Sequence, residues 1–206
     1  FTITCGAPSL HASAPWVAEN AIESIYEVWD AIKSFTLENT GSNRYSSVTA
    51  SLTGIHGGSS HNTTPEKCKA TVDMRIPPQK STDWIAKEVE KIVHKFQSDT
   101  NFSKVKLKVD DVTEPFETDK KSILVRAIIR GVLQVRKKRP LLLRKTGTGD
   151  MNLLGHQLGI PVVTYGPGDP HLSHTRNEFI EIDEYLSSID VYKATAMNLA
   201  KIHNYS

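Results

Sequence analysis

The amino-acid order predicts an α+β fold of the ferredoxin-like kind, β-α-β-β-α-β, over residues 1–112, followed by part of an α/β domain over 113–206. Three observations carry this expectation. Apolar spacing switches between strand-like and helix-like periods in that order across the first 112 residues. A polar, proline-bearing junction, TEPFET at 113–118, then interrupts the pattern. Beyond it, helical stretches alternate with short apolar runs, the habit of α/β domains.

Taken in order, Thr2–Cys5 alternates like a short strand. From Pro15 the residues Val17, Ala21, Ile25, Val28 and Ile32 recur at three- and four-residue spacing. That predicts a helix with Pro15 in its first turn and Ser13 as its cap. Gly41–Asn43 breaks the chain. Two strands, Ser47–Ile55 and Lys67–Arg75, follow around the loop GGSSHNTTPE, and ProPro at 77–78 ends the second. A helix capped within Ser81–Asp83 covers Trp84–Phe96, with Ile85, Val89, Ile92 and Phe96 on one face. Lys104–Val109 alternates lysine with Val and Leu, so it reads as a strand with one wet face. After the junction come a helix over 119–135, a strand over 141–144, a helix over 150–158, a strand over 160–165 and a helix over 182–202. Two short strands with three helices make a poor independent α/β domain, because a parallel sheet needs both faces covered and more strands to bury. The second half therefore reads as the end of a domain, and a first residue of Phe rather than Met suggests a piece of a longer chain.

Composition narrows the classes. The longest apolar runs, 141–143 and 162–165, are far short of the ~20 residues a membrane helix needs, so no membrane association is expected. The opening FTITCGAPSLHAS lacks a basic leader, and two cysteines, Cys5 and Cys68, suit a reducing compartment. A cytoplasmic protein is expected, with one Cys5–Cys68 bridge left open. The formal net charge is only +2, but Arg126–Lys145 carries eight basic residues and no acidic one. It reads as a solvated helix face or as a docking surface for an anionic partner. Nucleic acid is not expected, since no aromatics interleave with the basic residues.

Four stretches carry candidate chemistry. LHASAPW places His11 just before a helix start, where it caps or faces a cleft. GGSSHNTTPE places Asn62 in a turn-forming loop ahead of a strand that ends in Arg75, whose planar fork suits a carboxylate. In KTGTGDMN, Gly147 and Gly149 let a backbone approach a ligand, with Thr148 beside them. Asp150 then caps a helix or helps receive an anion at its start. GPGDPHLSHTRNE follows an apolar run at what an α/β sheet would make its ligand end; His171 and His174 are metal-ligand candidates there, with Glu178 to orient one.

In order, HASAPWVAENAIE, HNTTPEKCKATVDMR, TGTGDMN and YGPGDPHLSHTRNEFIEIDEY resemble the zinc-dependent amidohydrolases and carboxypeptidases that include acetylornithine deacetylase and succinyl-diaminopimelate desuccinylase. The chain is similar in particular to their lysine- and ornithine-releasing members, which act on amino acids held by a small acidic amino-group carrier protein. The resemblance implies that residues 1–112 are a ferredoxin-like lid that dimerises and 113–206 the closing part of an α/β zinc-hydrolase catalytic domain. It implies a homodimer, two zinc ions per full site with cobalt as an alternative, and His174 as the one zinc ligand in this chain. His11 matches the lid histidine that reaches the neighbouring subunit's site and stabilises the oxyanion. Asn62 and Arg75 match lid residues that hold the substrate's carboxylate or carbonyl end, and Gly147 and Thr148 match a substrate-binding turn. His171 is read as a substrate-side or structural residue, and Asp169 is left unassigned.

The departures are as informative. The family's front half supplies a His-x-Asp pair, a bridging aspartate and a Glu-Glu pair, and this sequence contains no His-x-Asp and no Glu-Glu. The chain is expected to be the carboxyl-terminal portion of such an enzyme and inactive alone. Deacetylase, desuccinylase or carboxypeptidase specificity, or a dimerisation module without catalysis, stand as alternatives.

Overall fold

The computed structural model describes residues 1–17, 19–99, 104–173 and 175–203. They form two compact units, Phe1–Pro115 with Lys145–Thr148, and Phe116–Arg144 with Gly149–Ser206.

The first unit is a four-stranded sheet covered on one face by two helices. Strands β1 (Thr2–Gly6), β2 (Thr49–Gly57), β3 (Lys67–Arg75) and β4 (Lys104–Lys108) pair in the order β2-β3-β1-β4. Every pairing is antiparallel, so β1 and β2 run the same way on either side of β3. Two helices, α1 (Ala21–Glu38) and α2 (Thr82–Asp99), make the crossings. Strand alternation decides what they cover: Ile3, Cys5, Cys68, Ala70, Val72 and Val105 pack under Ile25, Val28, Ile32, Ile85, Val89 and Val93. Neither cysteine is in a disulfide, and both are buried, directly opposite one another across β1 and β3. Thr53 is an extra residue where the β2–β3 register shifts, and its hydroxyl donates to the Thr71 carbonyl at 3.2 Å.

Helix α1 does not begin at Pro15. Its N-cap is Asn20, whose Oδ1 accepts from the Ile22 N–H at 2.9 Å, and residues 11–17 form turns instead. The expected cap, Ser13, is engaged with His11, so Trp16 and Val17 stand exposed rather than joining the core.

In the second unit, α3 (Ile123–Arg136) packs against α5 (Ile182–His203), joined by Ile128, Val132 and Val191. Gly131 lets the two backbones approach, because a Cβ there would lie 3.1 Å from the Val191 carbonyl oxygen. The Arg136–Glu184 ion pair at 3.0 Å and an Asn198–Gln134 hydrogen bond at 3.0 Å complete the contact. Helix α3 starts after its expected position, because Asp119–Ser122 forms a turn and Ser122 caps the helix through the Val125 N–H. Helix α4 (Asp150–Leu158) is capped by Gly149, not Asp150; the Asn152 side chain reaches back to the Gly149 N–H at 3.1 Å.

The strands expected over 141–144 and 160–165 are absent among the described residues. A strand is fixed by a ladder partner, and none of the described segments pairs with either run. They are tethered by isolated bonds instead. Arg144 pairs with Glu117 at 2.7 Å, the Thr118 hydroxyl bonds the Val162 carbonyl, and the Tyr192 hydroxyl bonds the Tyr165 carbonyl.

Candidate functional site

The β1–β3 ladder does not stop at the strand ends. It continues as Ala7 N–H to Glu66 carbonyl at 2.9 Å, Thr64 N–H to Leu10 carbonyl at 2.7 Å and Ala12 N–H to Asn62 carbonyl at 2.8 Å. This irregular ladder lays the loop carrying His11 along the loop carrying Asn62, with His11 bridged to Thr63. Thr64 closes it from below. It is 7% exposed, and its Oγ1 accepts from the Leu10 N–H at 2.8 Å.

His11 is exposed, and its ring is oriented by one neighbour. The Ser13 hydroxyl lies 2.7 Å from Nδ1, and the Ser13 backbone N–H points to the same atom at 3.2 Å. A backbone N–H only donates, so Nδ1 accepts and the ring proton sits on Nε2. Nε2 has no protein partner among the described residues and is available as a donor. Beside it, Asn62 Oδ1 accepts from the Ser60 hydroxyl at 2.7 Å, leaving the amide N–H groups free to donate. Both side chains are exposed and each has a hydrogen-bond donor to offer, the chemistry that suits a carbonyl oxygen or an oxyanion.

Arg75 is not part of this cluster. It ends β3 at the strand end opposite Lys67, eight residue steps or ~27 Å from it at strand rise. Its fork already grips a carboxylate, that of Asp73, at 2.7 and 3.0 Å. Gly147 and Thr148 are exposed, and Gly147 has neither a positive φ nor any neighbour within reach of an added Cβ. Nothing in the described chain therefore demands glycine at Gly147.

His174 lies outside the described residues. In its loop, Asp169 Oδ1 accepts the His171 N–H at 2.9 Å, which makes Asp169 a turn former. Among the described residues no three His, Cys, Asp or Glu side chains gather as a metal-ligand group. The described donor set by itself does not build a zinc site. Also among the described residues, no helix is long and apolar enough to cross a membrane.

Ser60 and Thr64 are the working residues that sequence spacing did not single out, and Ser13 was expected only as a helix cap, not as the partner of His11. The signal was present for Ser13, whose place two residues after a histidine is hydrogen-bonding distance in a turn.

Comparison with known proteins now decides the family. The sequence profile of the peptidase dimerisation domain of the M20 class matches residues 1–101. Residues 1–101 are an M20 peptidase dimerisation domain. The M20 assignment agrees with relatives named LysW-lysine/LysW-ornithine hydrolase. One, from Sulfurisphaera tokodaii, is 32% identical over 190 residues, 92% of this chain and 49% of the relative. Another, from Saccharolobus islandicus, is 32% identical over 138 residues, 67% of this chain and 37% of the relative. The chain thus spans about half the length, at most, of these relatives. Among solved structures, the M20 metallo-carboxypeptidase Sso-CP2 of Sulfolobus solfataricus superposes with a TM-score of 0.75 at 16% identity, over 98% of this chain and 58% of its own. A Staphylococcus aureus tripeptidase gives 0.76 at 17% identity, over 97% of this chain and 51% of its own. At those identities the likeness is one of fold.

Proposed function

We propose that the chain is part of a metal-dependent amide hydrolase that releases lysine or ornithine from an N-acyl or carrier-protein-linked precursor. The observation that carries this reading is the His11–Asn62 loop pair, a donor cluster held on a dimerisation domain. The relatives' names supply the substrate class. In this reading the antiparallel sheet with its two helices is a ferredoxin-like lid over 1–112, and residues 113–206 close an α/β catalytic domain. Zinc or cobalt would polarise the amide and supply the attacking oxygen, with His174 as this chain's one ligand. A cytoplasmic setting accords with two buried thiols outside any disulfide.

The role of the described residues follows from charge. Attack on an amide carbonyl moves negative charge onto its oxygen, so a fixed donor gains most in the transition state. His11 offers Nε2–H without a reorientation step, because Ser13 already holds Nδ1. Asn62 adds a second donor class from the facing loop. Arg75, ~27 Å along β3 from that end, cannot meet the same substrate within one subunit. A two-fold dimer resolves this: His11 and Asn62 serve the partner's site while Arg75 serves its own.

In the full-length protein, His11→Ala is expected to lower kcat by about 10²–10³ with KM little changed. Unchanged kcat for lysine or ornithine release would refute the role. A second reading, dimerisation without catalysis by these residues alone, rests on the match of residues 1–101 to a dimerisation domain. The 206 residues alone are expected to release neither amino acid from N-acyl substrates. Metal-dependent turnover by them would overturn the view that the chain supplies only part of a site.

A further inference from the structure

The sheet face not covered by α1 and α2 is a lysine-walled trough. Register puts Lys104, Lys106 and Lys108 of β4 beside Gly6, Thr4 and Thr2 of β1, and these beside Lys67, Lys69 and Thr71 of β3. Alternation sends this set away from the core, and all five lysines are exposed. The small β1 residues form a floor between two basic rows. The rows stand two strands apart, ~9–10 Å, with lysines ~7 Å apart along each. His56 of β2 extends the central row beside Lys69.

Charge on this face is not balanced within the protein. Its two carboxylates are spoken for: Asp110 pairs with Lys108 at 3.0 Å, and Asp73 with Arg75 at 2.7 Å. Lys67, Lys69, Lys104 and Lys106 have no ion-pair partner among the described residues. In the basic 126–145 stretch Arg136 and Arg144 are each neutralised by a glutamate of their own unit, while the other six basic residues likewise have no ion-pair partner among the described residues. What sets the sheet face apart is its geometry, four such lysines standing in two rows at strand spacing on either side of β1. Nucleic acid suits it poorly, because the trough between the lysine rows offers no Phe, Tyr or Trp ring on which a base can stack.

We propose that this trough docks an acidic protein surface, four unpaired lysines meeting carboxylates spaced along an extended or helical segment. Lys67 and Gly6 end the trough where the ladder passes into the His11 and Asn62 loops, so a partner lying in it is led to those donors. The inference deepens the hydrolase reading by naming the surface that receives a macromolecular substrate. Its test reads binding alone and stands or falls without any activity.

The test is fluorescence anisotropy on the 206-residue chain with a labelled oligoglutamate peptide, against oligo-dT of equal charge and neutral oligoglutamine. Oligoglutamate is expected to bind in a salt-sensitive way, and Lys69→Glu with Lys106→Glu to weaken it about tenfold or more. Lys69→Arg with Lys106→Arg retains binding, and Lys137→Glu with Lys138→Glu in the other unit changes it less than about threefold. The pair Lys67→Glu with Lys104→Glu repeats the measurement should the first variant melt early by circular dichroism. Absence of oligoglutamate binding overturns the proposal, as does equal loss in the Lys137/Lys138 variant. Tighter binding of oligo-dT assigns the face to nucleic acid instead. A change of oligomeric state by light scattering in the Lys69/Lys106 variant assigns it to a second copy of the chain.

Discussion

Thr64→Val removes one hydroxyl and keeps the branched shape. In the native protein that oxygen accepts from the Leu10 N–H at 2.8 Å, and its proton faces the Leu10 carbonyl at 3.3 Å and the Pro8 carbonyl at 3.5 Å. The carbonyl of Leu10 keeps another donor, the Thr64 N–H at 2.7 Å, and the Pro8 carbonyl gives up only a long contact, so the main loss falls on the Leu10 N–H. A fully buried donor left unpaired costs ~1–3 kcal/mol. Leu10 is half-buried, and water reaches it in part, so about 1–2 kcal/mol is expected. For a unit of this size that lowers Tm by about 4–8 °C. Thermal unfolding followed by circular dichroism gives the stability, and amide hydrogen exchange gives the place. The Leu10 and Ala12 amides should exchange much faster in the variant while those of Ile3 and Val72 keep their protection. A variant with unchanged Tm and a still-protected Leu10 amide would show that Thr64 does not clasp the two loops.

Other expectations are smaller in scope. Gly131→Ala sets helix propensity, worth about 1 kcal/mol, against a Cβ placed 2.4 Å from Thr195 Oγ1 and 3.0 Å from the Thr195 nitrogen. Overpacking of that kind costs ~1–3 kcal/mol, so a net loss in a denaturant titration is expected, and a gain would mean α3 and α5 are less tightly apposed. The Tyr165 hydroxyl is buried with no hydrogen-bond partner among the described residues, so Tyr165→Phe is expected to stabilise by about 1 kcal/mol. Destabilisation would reveal a partner for it. Burial, and secondarily Cys5, hold the Cys68 thiol above its ordinary value, against a smaller opposing pull from the Lys69 N–H. A raised acid favours the protonated folded state, so its contribution to stability is whole below the unfolded thiol's pKa and fades as pH rises through the folded one. Iodoacetamide at pH ~8 should leave Cys68 unmodified until urea is added, and rapid labelling of the folded chain would contradict its burial.

The first unit could be read from its residues because each element satisfies itself locally. Helices α1 and α2 show their apolar stripes, and β4 writes its two faces as K-V-K-L-K. What the pattern could not convey was register. Only pairing through β1 brings the β4 lysines into line with Lys67 and Lys69, residues far apart in the chain. The false start of α1 has a similar cause: Ser13 is an equally good cap and histidine partner, and tertiary placement of His11 chose the second. In the second unit the apolar runs at 141–143 and 162–165 signal burial, but a strand needs a neighbour, and none is present among the described residues. Of the candidate site, His11 and Asn62 met as two loops of one ladder, whereas Arg75 fell at the far end of the strand that follows Asn62. The resemblance gives Asn62 and Arg75 one shared role, and the length of β3 separates them.

That separation also defines the most direct measurement. In the full-length protein, His11→Ala and Arg75→Ala are each expected to cut release of lysine or ornithine about a hundredfold or more, and the two impaired variants are then mixed and allowed to exchange subunits. A mixed dimer has one site with both native residues, so an equal mixture should recover about a quarter of native activity. Recovery near that level would show that His11 serves the partner's site and Arg75 its own. No recovery, with exchange verified by mass, would contradict the account.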